Sequence, residues 1–244
     1  MRKKGENQRI AFCASLLAAD LLQAHRLPKG CTLIVHHGDV NIGSDFQRLL
    51  DKSGCAHVFA QNCLVQDPRI TPLPIGLEDQ WRHNNGIVRD FVQLRREAIQ
   101  KIPRIVNAFN LNTNPDERWP CYRSLWRHPL AVGLSAGTNS RLYRKFVTRY
   151  MFMASPPGNG ADCHRTWEAM YLRIVPIVKR SVMTEYFQQL GLPLYLVDDW
   201  RELSSFTEER LVEIYEQLKH GFDSDGLWLP YWQDQFSQYS TLVA

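Results

Sequence analysis

Residues 155–178 read SPPGNGADCHRTWEAMYLRIVPIV, and this stretch decides the fold because a loop, a helix and a strand follow one another in it. The Pro/Gly-rich segment 155–160 is a loop. Residues 162–173 have the apolar spacing of a helix, and residues 174–178 form a short apolar run interrupted only by a proline. A loop, a helix and a strand in this order make up half of an α/β layer.

The loop and the helix that follows it have the features of an anion site. Free backbone N–H groups and the helix dipole both favour negative charge at a helix N-terminus. Gly158 and Gly160 allow backbone angles and a close ligand approach that a Cβ would forbid. His164 and Arg165 lie in the first helical turn, where cations oppose the dipole, so their position indicates a bound anion. Glu168 lies three and four residues further on and can share their face of the helix.

The same residues also have a structural interpretation. Pro/Gly loops connect strands and helices in many proteins, and an Arg–Glu pair three residues apart is often only a surface ion pair. Trp167, Met170 and Tyr171 have helical spacing and predict the face that packs on the core. The loop is neither a P-loop nor a GxGxxG fingerprint, so those motifs predict nothing here.

The stretch resembles the signature of exostosin-like glycosyltransferases, whose nucleotide-sugar half carries a Pro-Gly loop, then Arg, Glu-Ala and a Pro-containing strand. Two further stretches are similar to the same family, LPIGLED at residues 73–79 and NLNTNPDERWPCY at residues 110–122. The resemblance spans roughly residues 34–200. It implies a minimal GT-B-like α/β fold, with two Rossmann-like halves whose parallel sheets face a cleft, and a C-terminal segment that crosses back onto the first half.

The rest of the chain alternates between strand and helix patterns, which favours an α/β fold with parallel sheets. The β-branched run 31–35 predicts a buried strand, and polar residues follow it where open α/β sheets place their ligands. The only candidate boundary falls at residues 102–104. Residues 1–103 are therefore predicted to form an N-terminal, acceptor-side half, and residues 104–244 a C-terminal, nucleotide-sugar half.

The composition is that of a globular protein, with 244 residues of which 44% are hydrophobic and 22% charged. Without a convincing signal peptide, a cytoplasmic location is expected. The net charge of +4 suits an anionic donor, an anionic glycan or a membrane surface, and does not by itself indicate nucleic acid. The six cysteines include no CxxC pair, so we expect no zinc ribbon and predict reduced thiols.

The resemblance implies that Arg165 contacts the donor diphosphate and that Glu168 contacts the donor ribose or sugar. Lys179 is a second candidate for phosphate, although an ordinary exposed lysine is an equal alternative. The predicted donor-binding residues are Ser155, Gly158, Asn159, Gly160, His164, Arg165, Glu168 and Lys179. Because such groups stabilise the departing diphosphate without a metal, neither a metal nor a cofactor is expected beside the nucleotide-sugar substrate.

Glycosyl transfer also needs a base for the acceptor hydroxyl. The candidates are Asp39 and His37, which follow the first-half strand, and, third, Glu78, and each has a structural alternative. The pair His36 and His37 could bind a metal, but no third ligand stands at a recognisable spacing. Arg118, in the NPDER segment, either reaches the cleft or forms an ion pair on the helix surface.

The leading hypothesis is a glycosyltransferase that moves a sugar from a nucleotide-sugar donor to a glycan or a lipid-linked (glycolipid) acceptor. The alternative is a non-catalytic α/β module that binds an anionic ligand or a protein partner through a degenerate nucleotide site. Nucleic-acid binding by the basic, aromatic residues 119–149 is a weaker third hypothesis, so no nucleic acid is expected. Peripheral association with a membrane stays open.

Overall fold

The computed structural model describes residues 10–82, 85–134 and 138–241. Its contacts divide the chain into two compact units. The described residues up to Pro74, together with those from Trp228 onward, form the first unit. The second unit is Ile75–Leu227.

The first unit contains a parallel sheet of four strands that lie side by side in chain order. Their bounds are Ile10–Ala14 (β1), Thr32–His36 (β2), His57–Ala60 (β3) and Ile70–Pro72 (β4). β2 begins one residue later than the predicted run 31–35. The polar residues that follow β2 therefore lie at the carboxyl end of the sheet, as the sequence predicted.

The second unit contains a parallel sheet of five strands in the order β6-β5-β7-β8-β9. Their bounds are Ile102–Asn107 (β5), Ala131–Gly133 (β6), Tyr150–Ala154 (β7), Val175–Lys179 (β8) and Tyr195–Val197 (β9). The α/β class with two parallel sheets is confirmed.

Helices connect consecutive parallel strands in both units, except that β3 and β4 are joined by residues 61–69, which contain no helix. The first unit contains Ser15–Gln23 (α1), Ser44–Ser53 (α2) and the C-terminal helix, named α9 below. The helices in chain order after α2 are Val88–Arg96 (α3), Pro115–Leu125 (α4), Ser140–Val147 (α5), His164–Tyr171 (α6), Val182–Gln189 (α7), Glu208–Leu218 (α8) and Leu229–Thr241 (α9).

The sheet of the second unit is covered on both faces, because successive residues of a strand point to opposite sides. Ile105 and Phe152 belong to one buried cluster, which includes apolar residues of α4 and α8. Their neighbours Val106 and Met153 belong to another, which includes residues of α3 and α6. Apolar runs without polar alternation in these strands follow from this double covering.

The units divide the chain at a different place from the predicted boundary after residue 103. Phe91 and Leu94 of α3 pack in the same cluster as Val106 and Val147, so the segment before β5 belongs to the second unit. Periodicity predicts a helix at α3 but does not show which sheet the helix covers. At the other end of the chain, α9 lies in the first unit, where the ring of Tyr239 stacks on His57.

No helix within the described ranges is long and apolar enough to cross a membrane.

Candidate functional site

Three separate stretches of the second unit meet around the loop 155–160 and the start of α6. They are the loop with its helix, the first turn of α4, and residues 75–78. These are parts of the three stretches that resemble the exostosin-like family. The loop follows β7, so the site lies at the carboxyl end of the parallel sheet, where α/β proteins commonly bind ligands.

The first turn of α4 holds the loop from one side. The side-chain amide of Asn114 donates to the carbonyl oxygen of Gly158 at 2.8 Å. The Nε of Arg118 donates to the carbonyl oxygen of Pro157 at 2.8 Å, and its Nη1 donates to that of Asn110 at 2.6 Å. Arg118 is therefore buried and structural, and it forms neither of the surface ion pairs that the sequence offered for it.

Residue 158 is glycine because the packing against Arg118 leaves little room for a side chain, and not because its backbone angle requires glycine. A Cβ at this position would lie 3.3 Å from Nη2 of Arg118, closer than most carbon contacts allow. Its φ is outside the left-handed region. The close approach expected of Gly158 thus exists, but the approaching group is an arginine of the same unit.

Asp162 fixes residue 75 to the start of α6. Its buried carboxylate accepts hydrogen bonds from the backbone N–H of Ile75 at 2.9 Å, from the N–H of Cys163 at 2.8 Å, and from Nε1 of Trp167 at 2.8 Å. Burial raises the pKa of Asp162 to about 6, and these donors act in the opposite direction. No role for Asp162 was predicted from the sequence, because its partner Ile75 is 87 positions away along the chain.

His164 makes the second contact with this segment. Its Nδ1 lies 2.9 Å from the carbonyl oxygen of Gly76, so Nδ1 carries a proton and donates it. Its Nε2 lies 3.6 Å from Oε2 of Glu78. Gly76 has a φ of 69°, a turn conformation that glycine adopts at little cost. The ring of His164, predicted to contact an anion, is occupied by these two protein groups.

Arg165, in the first turn of α6, contacts a backbone carbonyl group and an aromatic ring. Its Nε donates to the carbonyl oxygen of Ala108 at 3.2 Å, and its guanidinium carbon lies 5.5 Å from the centre of the Phe109 ring. No carboxylate of the described chain is within ion-pair distance of Arg165. Phe109 was not predicted as a site residue, although it directly precedes the NLNTNPDER stretch.

Glu168 is also unpaired. No hydrogen bond or ion pair to its carboxylate is present among the described residues, and the side chain is half-buried. Burial raises the pKa of Glu168, while the nearby charges of Arg165, His164 and Arg144 lower it by less. The Arg165–Glu168 surface ion pair that the sequence offered as an alternative is therefore not formed. Arg165 and Glu168 thus influence each other electrostatically, and neither forms an ion pair among the described residues.

The first turn of α6 also offers backbone N–H groups to a ligand. α6 begins at His164 with Cys163 as its N-cap residue, and no side chain caps it. The N–H groups of His164 and Arg165 have no acceptor among the described residues. These free N–H groups and the helix dipole can bind an anion.

Ser155 and Lys179 make contacts within the protein. Ser155 is 2% exposed, and its Oγ lies 2.9 Å from Oγ1 of Thr166, so it packs the loop rather than facing solvent. The Nζ of Lys179 forms a 2.8 Å ion pair with Glu117. The other carboxylate oxygen of Glu117 accepts from Nε1 of Trp200 at 2.8 Å. Asn159 and Gly160 lie in the loop itself.

The predicted base candidates of the first half lie after β2. His37 and Asp39 are exposed, and His37 has a φ of 63°. The side-chain amide of Gln61 donates to the carbonyl oxygen of Gly38 at 2.7 Å, and this holds the turn. The Nδ1 atoms of His36 and His37 lie 3.4 Å apart. Across the described ranges, no group of three His, Cys, Asp or Glu side chains is placed to hold a metal ion. The third candidate, Glu78, lies in the second unit.

No family model matches the chain, and no curated protein matches it. Among solved structures, the apo structure of OtsA is similar over 96% of this chain and 73% of its own, with a TM-score of 0.54 and 11% sequence identity. The structure of trehalose-6-phosphate from E. coli bound with UDP-2-fluoro glucose has a TM-score of 0.50 and 12% identity, with the same coverage. OtsA is a trehalose-6-phosphate synthase of the GT-B class. At this identity the similarity shows the fold alone, an α/β fold with two parallel sheets that matches these GT-B neighbours.

Proposed function

We propose that the chain is a glycosyltransferase that transfers a sugar from a nucleotide-sugar donor to a glycan or lipid-linked acceptor. One observation carries the proposal. Arg165, Glu168 and the first N–H groups of α6 stand together at the carboxyl edge of a GT-B sheet, and their charges have no ion-pair partner among the described residues.

The donor diphosphate binds at the start of α6. Arg165 and the N–H groups of His164 and Arg165 offer hydrogen-bond donors and positive charge where the leaving group gains negative charge. The carbonyls of Pro157 and Gly158 are hydrogen-bonded to α4, so they do not oppose an anion at the loop. Asn159, Gly160 and Lys179 complete the donor side in this proposal.

Glu168 accepts hydrogen bonds from hydroxyl groups of the donor. A carboxylate accepts through both oxygens, and the hydroxyl groups of a ribose or sugar are donors of matching chemistry. The half-buried position of Glu168 strengthens such bonds, since the local dielectric constant is lower than in water. A site with one cation for the diphosphate and one carboxylate for the sugar binds a nucleotide-sugar rather than free phosphate.

Within the GT-B class, we assign the chain to the exostosin-like type on the three sequence stretches named above. This type implies transfer without a bound metal. The base that accepts the acceptor proton is Asp39 or His37, with Glu78 as third candidate. Glu78 already lies 3.6 Å from His164, which links it to the ring at the start of α6. A cytoplasmic location belongs to the same proposal.

A thermal-shift screen tests the donor. UDP, GDP, CMP, dTDP and their common sugars are added to the full chain with and without divalent metal. A ligand present at 100 times its dissociation constant stabilises the folded state by about 2.7 kcal/mol, which is easily measured. The expected result is a selective shift with one nucleotide.

Arg165→Ala is expected to lower the affinity for that nucleotide by roughly 1.5–3 kcal/mol, the range for hydrogen bonds to charged groups. The matched control is Arg149→Ala, which removes an exposed arginine from the opposite edge of the sheet. Unchanged affinity in a folded Arg165→Ala protein removes this residue from the site. No shift with any nucleotide at millimolar concentration favours the non-catalytic module instead.

A further inference from the structure

A cavity lies in the second unit, at the edge of the sheet opposite to the candidate donor site. It has a volume of about 660 Å³ and is open to solvent. Lys101, Thr148 and Leu172 line it, and they lie within the three residues before β5, β7 and β8, respectively. The loop 155–160 follows β7. Because the strands are parallel, the cavity and the candidate donor site are at different edges.

The lining of this cavity is strongly basic. It contains two carboxylates, Glu97 and Glu216, against five cations, namely Arg95, Arg96, Lys101, Arg173 and Lys219. Glu216 is already paired with Lys219. Three positive charges therefore have no counterpart in the lining.

Lys101 is a half-buried member of this set. Its Nζ donates to the carbonyl oxygens of Thr148 at 2.6 Å and Leu172 at 2.7 Å. An ammonium group has three N–H donors, and these two carbonyls use only two of them. Within the described part of the chain, no carboxylate pairs with Lys101. One N–H of a largely buried ammonium group is thus left for a ligand.

The cations repel one another. Burial lowers the pKa of Lys101 to about 7, and the charge of Arg173 lowers it further in the same direction. The pKa of Arg95 is lowered by the same two causes in the same order. Arg173 and Arg95 both form an ion pair with the exposed carboxylate of Asp223. An anion placed among these groups would offset both the burial and the repulsion.

Arg96 contributes a cation without a carboxylate partner among the described residues, and its side chain is exposed at the mouth. The walls include the apolar groups of Leu94, Met151 and Leu172. The Tyr215 ring also lines the cavity, and its hydroxyl donates to the carbonyl oxygen of Arg173 at 3.0 Å. A lining that combines cations with apolar groups suits a ligand that carries an anionic group on an organic body.

We propose that this cavity binds a soluble phosphorylated small molecule, with its phosphate or diphosphate group held by Arg96, Lys101 and Arg173. The volume is in the range of about 300–1,000 Å³ that is usual for small-molecule sites. The site is separate from the donor site, so the inference does not rest on the proposed function.

Calorimetric titration with pyrophosphate, and in parallel with inorganic phosphate, tests the site at constant ionic strength. The protein is the full chain carrying Arg165→Ala, which weakens anion binding at the donor site. The expected result is one bound pyrophosphate per chain. Arg96→Ala is expected to weaken binding at least threefold and Arg96→Ala with Arg173→Ala at least tenfold.

Arg89→Ala is the matched control, because Arg89 is an exposed arginine of the same helix, α3, that does not line the cavity. Lys101→Met is expected to abolish binding, and the surface variants decide the question if that protein does not fold. Absence of binding at millimolar pyrophosphate would overturn the proposal. Equal binding of pyrophosphate by the Arg96→Ala and Arg89→Ala variants would also overturn it. A separate measurement uses vesicles that contain phosphatidylinositol bisphosphate, and binding to these vesicles without binding of pyrophosphate would overturn it as well.

Discussion

The Nε of Arg118 donates a 2.8 Å hydrogen bond to the carbonyl oxygen of Pro157 and so joins α4 to the Pro-Gly loop. Asn114, one turn earlier, binds the next carbonyl, that of Gly158. The loop thereby has two consecutive carbonyl groups turned toward α4. A loop held in this way offers a ligand a fixed surface, which costs less ordering entropy on binding than a mobile loop would.

Arg118→Ala is expected to lower the free energy of unfolding by about 1.5–3 kcal/mol, because the carbonyl groups of Pro157 and Asn110 lose a charged donor. Urea unfolding followed by circular dichroism measures it. Asn114→Ala removes one neutral hydrogen bond from the same loop and should cost about 0.5–1.5 kcal/mol. Equal stability of the Arg118→Ala and wild-type proteins would show that the loop does not depend on this clamp.

Asp162→Asn tests the link between residue 75 and α6. Both carboxylate oxygens accept from N–H groups, so an amide at this position must turn its own N–H₂ toward a donor. A buried donor left unsatisfied costs about 1–3 kcal/mol, and we expect a loss of stability in that range at pH 7. Thermal unfolding measures the loss.

Asp79→Asn is the control for this prediction, since Asp79 is a nearby acidic residue whose hydrogen bonds to described residues involve only its backbone groups. The control should unfold at the wild-type temperature. An Asp162→Asn protein as stable as the control would contradict the role given to the carboxylate.

The loop, helix and strand of residues 155–178 could be predicted because each depends on local features. Helical spacing placed Trp167 and Met170 in the core, and both are buried. The hydrogen bonds of Asp162 to Ile75 and of His164 to Gly76 could not be predicted, because they join residues 87 and 88 positions apart. Spacing within one helix carries no information on such partners.

The limits of local patterns also explain the site residues. Arg165 and Glu168 were predicted correctly as neighbours on one helix, but spacing alone could not decide between an ion pair and two unpaired charges. The geometry decides it, because Arg165 is drawn toward Ala108 and the Phe109 ring. That α3 packs on the sheet of the second unit was not predicted, for the same reason. Phe91 and Leu94 define an apolar face, but their spacing does not show which sheet this face covers.

Glu168→Gln separates binding from folding. The carboxylate has no hydrogen-bond partner in the described chain, and burial raises its pKa, so its charge at neutral pH costs stability. We expect the melting temperature of the variant to equal or exceed that of the wild type. Affinity for the donor nucleotide-sugar should fall about tenfold, which corresponds to about 1.4 kcal/mol.

A structural role for Glu168 would give the opposite pattern, with lower stability and unchanged affinity. Glu185→Gln is the control, since Glu185 is a half-exposed acidic residue of the next helix, α7, and is paired with Arg180. It should leave donor affinity unchanged. A loss of affinity in both variants would mean that the effect comes from net charge rather than from contact with the sugar.

His57 gives the first unit a predictable dependence on pH. Its buried ring stacks on Tyr239 at 3.7 Å and lies 2.9 Å from Oγ1 of Thr71, and burial lowers its pKa from 6.5 to about 4. The unfolded chain therefore takes up a proton near pH 6.5 while the folded unit does not. The stability is complete above pH 6.5 and is lost as the pH falls toward 4. By linkage, the loss between pH 8 and pH 5 is about 2 kcal/mol.

His57→Phe keeps the stacking and removes the titration, so its urea midpoint should change less between pH 8 and pH 5 than that of the wild type. The titration of Asp67 does not contribute between pH 8 and pH 5. The hydrogen bonds from Arg69 hold the pKa of Asp67 below its ordinary value, so its contribution is lost only at lower pH. His25→Gln, at an exposed histidine of the same unit, should retain the wild-type slope. If His57→Phe also retained the wild-type dependence of the urea midpoint on pH, the acid sensitivity would have to come from another group. The neutral ring of His57 would then contribute nothing to that dependence.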